Sequence, residues 1–229
     1  MKVAVLFSGG KDSTFAIYKA QQMSHEISCL VSFIPKNKES YMFHTPNIEW
    51  AALQAEALGL PAERFEIEGQ KEEEVKEMEI AIGTLKEKYK FEGLVCGALA
   101  SKYQKERVEK VAKALSLHVV CPFWDKDQIE YIKELLNVGF KIKFTGVFAD
   151  GFTPEWLGKD LDQDHLDMLI KLNKDKKVSV GGEGGEYETF AYDGPIFKKK
   201  VEFVDSQIMW KDNSGVLDVK EAKLVEKTT

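Results

Sequence analysis

The chain has 229 residues, 44% of them hydrophobic, enough for one large domain or a nucleotide-binding domain with a smaller partner, and too apolar for a disordered chain. A formal net charge of -6 argues against a broad nucleic-acid footprint, because phosphate backbones demand clustered Lys and Arg. Three scattered cysteines without metal-ligand spacing argue against zinc and iron–sulfur sites, and no apolar run approaches the ~20 residues of a membrane span.

Residues 2–7 are a continuous apolar run, followed by a glycine-containing turn and a helical pattern from about residue 13 to 23. Residues 27–34 read as a second strand. Residues 47–58 read as a helix, with Asn47 placed to cap it and Gly59 and Pro61 placed to stop it. A short strand at 65–67 precedes a Glu/Lys-rich stretch, 71–90, that reads as a long solvent-facing helix with opposite charges at helical spacing. Residues 93–97 form a buried strand, Val108, Val111, Ala112 and Leu115 mark one face of the next helix, and 118–121 complete the series.

Strands alternating with helices predict an α/β fold with right-handed crossovers and a parallel sheet. Ligands in such sheets bind at the carboxyl ends of the strands, where the loops after Phe7 and Cys96 lie. After about residue 125 the pattern changes to a helix at 128–137, a β-rich 141–148, a polar helix near 162–173, a glycine-rich loop, and two or three strands. The expectation is a nucleotide-binding domain over 1–124 and a smaller α+β substrate domain over 125–229. Lys198-Lys199-Lys200, the one basic run, reads as a solvated strand edge. The N-terminus shows no signal-peptide pattern, so a soluble cytoplasmic protein is expected, with no nucleic-acid or membrane partner. A homo-oligomer stays open.

Ser8-Gly9-Gly10-Lys11-Asp12-Ser13 joins the first strand to the first helix. Adjacent glycines let backbone N–H groups approach phosphate oxygens, and the helix adds its positive end. Lys11 supplies charge, and Ser8 and Ser13 supply hydroxyls. Asp12 belongs in an anion site only if it orients donors or holds Mg²⁺. The Walker spacing GxxxxGK[ST] is absent. The six residues resemble the PP-loop of the N-type ATP pyrophosphatases. That resemblance implies an adenine-nucleotide alpha-hydrolase-like (HUP/Rossmann-like) sheet and cleavage of ATP between the α- and β-phosphates.

A second segment, residues 97–109, begins at Gly97 and carries Ser101, Lys102, Gln104 and Arg107, donors that can face the first loop across the sheet. A third, Gly181-Gly182-Glu183-Gly184-Gly185-Glu186-Tyr187-Glu188-Thr189-Phe190, packs four glycines and three glutamates into residues 181–188. Such a loop is costly unless its backbone and carboxylates are used. In an extended segment Glu186 and Glu188 point to the same side.

Together the three segments are similar to the diphthine–ammonia ligase family, with support from Val31-Ser32-Phe33, Tyr41-Met42-Phe43-His44, Pro122-Phe123-Trp124 and Asp193-Gly194-Pro195-Ile196-Phe197. The resemblance implies that the diphthine carboxylate of modified translation elongation factor 2 is amidated with ammonium, ATP giving AMP and pyrophosphate. It implies ATP and Mg²⁺ as cofactors, with Asp12 on the metal. Catalysis falls to Lys11, Asp12 and one or more of Glu183, Glu186 and Glu188. Nucleotide binding falls to residues 8–13 with Ser32, Phe33, Gly97, Ser101, Gln104 and Arg107. Tyr103, Trp124, Glu186, Tyr187, Glu188 and Thr189 are the substrate-side candidates, the aromatics among them as a cage for a quaternary ammonium group. The alternatives are a tRNA-modifying ATP pyrophosphatase, which would need catalytic cysteines and a basic surface, and a non-catalytic nucleotide-binding protein.

Overall fold

The computed structural model describes residues 1–36, 46–68 and 73–227. The stretch 41–44, including His44, lies outside them. Five strands, β1 (Lys2–Leu6), β2 (Glu26–Pro35), β3 (Ala62–Ile67), β4 (Gly93–Val95) and β5 (His118–Val120), form a parallel sheet in the order β3-β2-β1-β4-β5. Val3, Ala4 and Val5 are fully buried because helices cover both faces of the sheet, which is why their run does not alternate. Helices α1 (Lys11–Gln22) and α2 (Ala51–Leu58) pack on one side, and α3 (Glu73–Tyr89) and α4 (Lys102–Ala114) on the other. β1 is the central strand, and the chain leaves it toward β2 and β3, then returns past it to β4 and β5. The carboxyl ends of β1 and β4 therefore flank the crevice where such sheets bind ligands.

The remaining chain adds α5 (Gln128–Val138), β6 (Lys141–Val147), α6 (Gln163–Lys176), β7 (Tyr187–Asp193), β8 (Lys199–Lys211) and β9 (Ser214–Glu226). Its sheet is antiparallel in the order β7-β6-β9-β8, so the basic run opens an edge strand, where Lys199 pairs with Glu226 at 2.9 Å. The two sheets share a core. Phe15 of α1 stacks on Phe123 at 5.0 Å and meets Phe140 edge-on at 5.3 Å.

Two local expectations change. The helix predicted from Asn47 begins only at Ala51, after a single 3-10 turn. Asn47 is left-handed (φ 64) and does not cap it. Its side chain donates to the Leu217 carbonyl at 2.8 Å and accepts from the Val219 N–H at 2.9 Å, so a strand backbone has outcompeted the helix end. The Glu/Lys-rich helix is not solvent-facing all round: Val75, Met78, Ala81, Ile82 and Leu85 bury one stripe at helical spacing. Gly59 ends α2 in the left-handed conformation, as expected. Cys29, Cys96 and Cys121 are free thiols. No helix among the described residues is long and apolar enough to cross a membrane.

Candidate active site

The loop between β1 and α1 is held from both sheets. Ser13 Oγ accepts from the Ser8 N–H and donates to the Gly10 carbonyl, each at 3.2 Å, closing the loop on itself. Gly9 is left-handed (φ 79), and its carbonyl accepts from Gln54 Nε2 at 2.8 Å and from the Ala191 N–H of β7 at 2.9 Å. A Cβ on Gly9 would stand 2.0 Å from Gln54 Oε1, so the position requires glycine on both counts. The Lys11 N–H donates to Thr189 Oγ1 at 3.1 Å, which ties the first turn of α1 to β7. A Cβ on Gly97 would lie 2.7 Å from the Asp12 carbonyl carbon, so the second segment touches the first backbone to backbone.

Lys11 is buried. Its Nζ donates to Asp12 Oδ2 at 2.9 Å and to the Gly181 carbonyl at 2.6 Å. Burial pulls the pKa of this ammonium down, but the groups around it, Asp12 first and then Tyr187 and Glu183, together outweigh burial and leave it above the ordinary lysine value. Asp12 Oδ1 accepts from the Tyr131 hydroxyl at 2.7 Å. Gln128 Oε1 accepts from the Gly181 N–H at 2.9 Å and from Ser179 Oγ at 3.0 Å, fixing the root of the glycine-rich loop.

The three glutamates divide. Glu183 Oε2 accepts from the N–H groups of Ala100 (2.7 Å) and Ser101 (3.0 Å), and its carboxyl is raised by burial and by Asp12. Glu186 precedes β7 and turns back on its own loop, accepting from Ser179 N–H at 3.0 Å and Gly184 N–H at 2.8 Å. It therefore does not share a face with Glu188. Glu188 has no hydrogen-bond or ion-pair partner among the described residues, and burial pushes its carboxyl up to about 7.

These groups surround one cavity of about 510 Å³, within the range of small-molecule sites. The first loop contributes Ser8, Gly10, Lys11, Asp12 and Ser13 to its wall, and the second segment contributes Gly97, Ser101, Tyr103 and Gln104. Glu183, Tyr187, Glu188 and Thr189 close it from the other sheet, and Phe33 from β2. Gly9, Ser32, Arg107, Trp124 and Glu186 are not on that wall. Ser32 Oγ donates to the Phe7 carbonyl at 2.7 Å, bracing the loop from behind. The Arg107 guanidinium lies 3.3 Å from the centre of the Tyr103 ring, and the Lys105 ammonium 4.2 Å from that of Trp124. Lys102 is exposed and also lies off the wall.

Gln54, Tyr131 and Phe148 were not foreseen. Gln54 carried a signal, being a polar residue on a helix face otherwise made of Ala51, Ala55 and Leu58. Tyr131 carried none. Among the described residues no group of three His, Cys, Asp or Glu is placed to hold a metal. Asp12 and Glu183 are nevertheless carboxylates on one wall, which suits an ion that takes one or two protein oxygens and completes its shell with phosphates.

The family model described as the diphthamide synthase N-terminal domain matches residues 1–119, and that of the diphthamide synthase C-terminal domain matches residues 127–225. The chain belongs to this family. A diphthine–ammonia ligase of Homo sapiens is 36% identical over 228 residues, covering 91% of this chain and 85% of that protein. The Danio rerio diphthine–ammonia ligase is 35% identical over 219 residues, with 88% and 86% covered. That of Schizosaccharomyces pombe is 33% identical over 225 residues and covers 91% of this chain, but the match spans only 37% of that longer protein. The two family matches together take in every residue of the cavity wall.

Proposed function

We propose that this chain amidates the diphthine carboxylate of translation elongation factor 2 with ammonium, through an acyl-adenylate, releasing AMP and pyrophosphate. Family membership supports the amidation. The observation that carries the chemistry is the meeting, in one cavity, of a loop-and-helix anion site with a charged Lys11 and two carboxylates, Glu183 and Glu188, that burial raises above the ordinary value. Residues 1–124 form the ATP-binding domain in this reading, and 125–229 carry the acyl-substrate side. The substrate is a translation factor, so the reaction belongs to the cytoplasm.

In the first half-reaction a diphthine carboxylate oxygen attacks the α-phosphorus of ATP, and the bond to the bridging oxygen breaks as pyrophosphate leaves. The Lys11 ammonium and the N–H groups of Asp12 and Ser13 in the first turn of α1 hold the charge that gathers on the leaving oxygens. Asp12 would hold Mg²⁺ together with the phosphates, and the ion supplies further charge neutralisation there. In the second half-reaction ammonia attacks the acyl carbon and AMP leaves. The attacking nitrogen must first lose a proton, and Glu188, unpaired and facing the cavity, is the group able to take it. Glu183 holds the second segment closed over the same space.

The test is incubation with diphthine-bearing elongation factor 2, ATP and ammonium, reading product mass and nucleotide together. The expected result is conversion of carboxylate to amide with AMP formed in step, abolished in Lys11→Ala. Formation of ADP and phosphate, or AMP formation that depends on tRNA, would overturn this reading.

A further inference from the structure

Phe148 is a large apolar side chain left 41% exposed, and it is exposed into the cavity. Its position is built. The Phe148 N–H donates to the Glu186 carbonyl at 2.9 Å, anchoring the residue just past β6. Its ring folds back over Gly146, where an added Cβ would come within 2.8 Å of two ring atoms. Gly146 pairs across the sheet with Glu188, and the same added Cβ would lie 3.2 Å from Glu188 Cβ. A bare glycine inside a strand marks a close approach. Here it lets an aromatic ring lie beside the Glu188 side chain, whose carboxylate makes no hydrogen bond or ion pair with another described residue.

An open aromatic face next to an unpaired carboxylate suits a cation that has no N–H to donate. The other aromatics near the motifs have partners already. Tyr187 lies under Lys11, Tyr103 under Arg107 and Trp124 under Lys105, while Phe33 stacks on Phe65 at 6.0 Å. Phe148 lies in none of the three motif segments.

We propose that Phe148, with the field of Glu188, seats the quaternary ammonium group of the acyl substrate. The inference rests on the amidation reading above and deepens it. In diphthine the trimethylammonium and the carboxylate share one carbon, so seating the first fixes the second beside Glu188. One carboxylate then serves both to hold the cation and to meet the incoming ammonium.

Phe148→Leu removes the ring but keeps apolar bulk, and Phe148→Trp keeps an aromatic face. The KM for diphthine-bearing elongation factor 2 is expected to rise roughly tenfold or more in Phe148→Leu and to stay near wild type in Phe148→Trp, with ATP affinity by titration unaffected in both. Saturation-transfer NMR with tetramethylammonium chloride should show methyl signals on the wild-type protein and lose them in Phe148→Leu. A wild-type KM in Phe148→Leu, or equal tetramethylammonium signals in both proteins, overturns the subsite while leaving amidation standing. A tetramethylammonium signal that needs Phe148, in a protein that amidates nothing, supports the subsite and sinks the amidation.

Discussion

The Lys11 ammonium stands 5.0 Å from the centre of the Tyr187 ring, one buried side chain lying on another. Tyr187 is otherwise enclosed by Phe144 at 5.3 Å and Phe152 at 6.1 Å, and its hydroxyl donates to the Val180 carbonyl at 2.6 Å. The ring is part of the wall that positions Lys11 and has no free face for a second cation.

Tyr187→Ala is therefore expected to act on stability and ATP binding together. Removing a buried aromatic costs roughly 3–5 kcal/mol, and Lys11 loses its support at the same time. Tyr187→Phe, which strands only the Val180 carbonyl, should cost about 1–2 kcal/mol in urea denaturation. A stable Tyr187→Ala protein that binds ATP normally and is impaired only for the acyl substrate would reverse this assignment.

Gly97→Ala tests the contact between the first two segments. The new methyl would meet the Asp12 carbonyl carbon at 2.7 Å and the Ser13 nitrogen at 2.8 Å, both backbone atoms that cannot step aside alone. The N-terminus of α1 must shift, so ATP affinity should fall by tenfold or more, while folding loses only about 1–3 kcal/mol. Calorimetric titration beside a denaturation curve separates the two effects.

What the sequence disclosed follows from how far each interaction reaches along the chain. The first strand was legible because burial on both faces leaves Val3, Ala4 and Val5 no polar alternation to hide in. The loop at 8–13 was legible because its chemistry is local. Asn47 was misread because its partner carbonyl lies 170 residues away, and nothing nearby marks a side chain that bridges to β9. Alternation along β7 does not say how deeply a residue on the cavity wall is packed, and the burial of Tyr187 comes from Phe144 and Phe152, distant in sequence. Glu186 was paired with Glu188 on the assumption that the strand had already begun, and it begins one residue later.

Glu183→Ala should loosen a specific pair of amides. The carboxylate accepts from Ala100 and Ser101, and charge-assisted bonds of this kind are worth roughly 1.5–3 kcal/mol. Hydrogen exchange at those two N–H groups is expected to speed up in the variant, with little change in the α3 amides. Unchanged protection at Ala100 and Ser101 would show that the segment is held closed by something else.

Glu188 gives the pH dependence. Burial raises its carboxyl from 4.5 to about 7, Lys11 opposing the shift while Asp12 and Glu183 add to it. Below the unfolded value the group is protonated in both states and costs nothing. As pH rises from 4.5 toward 7, the unfolded chain releases this proton while the folded chain keeps it, so the folded state loses stability across that window. The loss should reach roughly 1–3 kcal/mol by about pH 8, discounted for partial access to solvent. Glu188→Gln cannot ionise, so it should be more stable than wild type near neutral pH and above, with the advantage fading on acidification to about pH 4. Wild-type amidation, which needs the carboxylate to accept a proton, should rise with an apparent pKa near 7, and the variant should still release pyrophosphate in a first turnover but form little amide or AMP. Denaturation of both proteins across that range, read beside product mass, checks the two halves independently. A stability difference that does not change with pH would show that Glu188 titrates alike in the folded and unfolded chains, so that burial does not hold its proton near neutral pH.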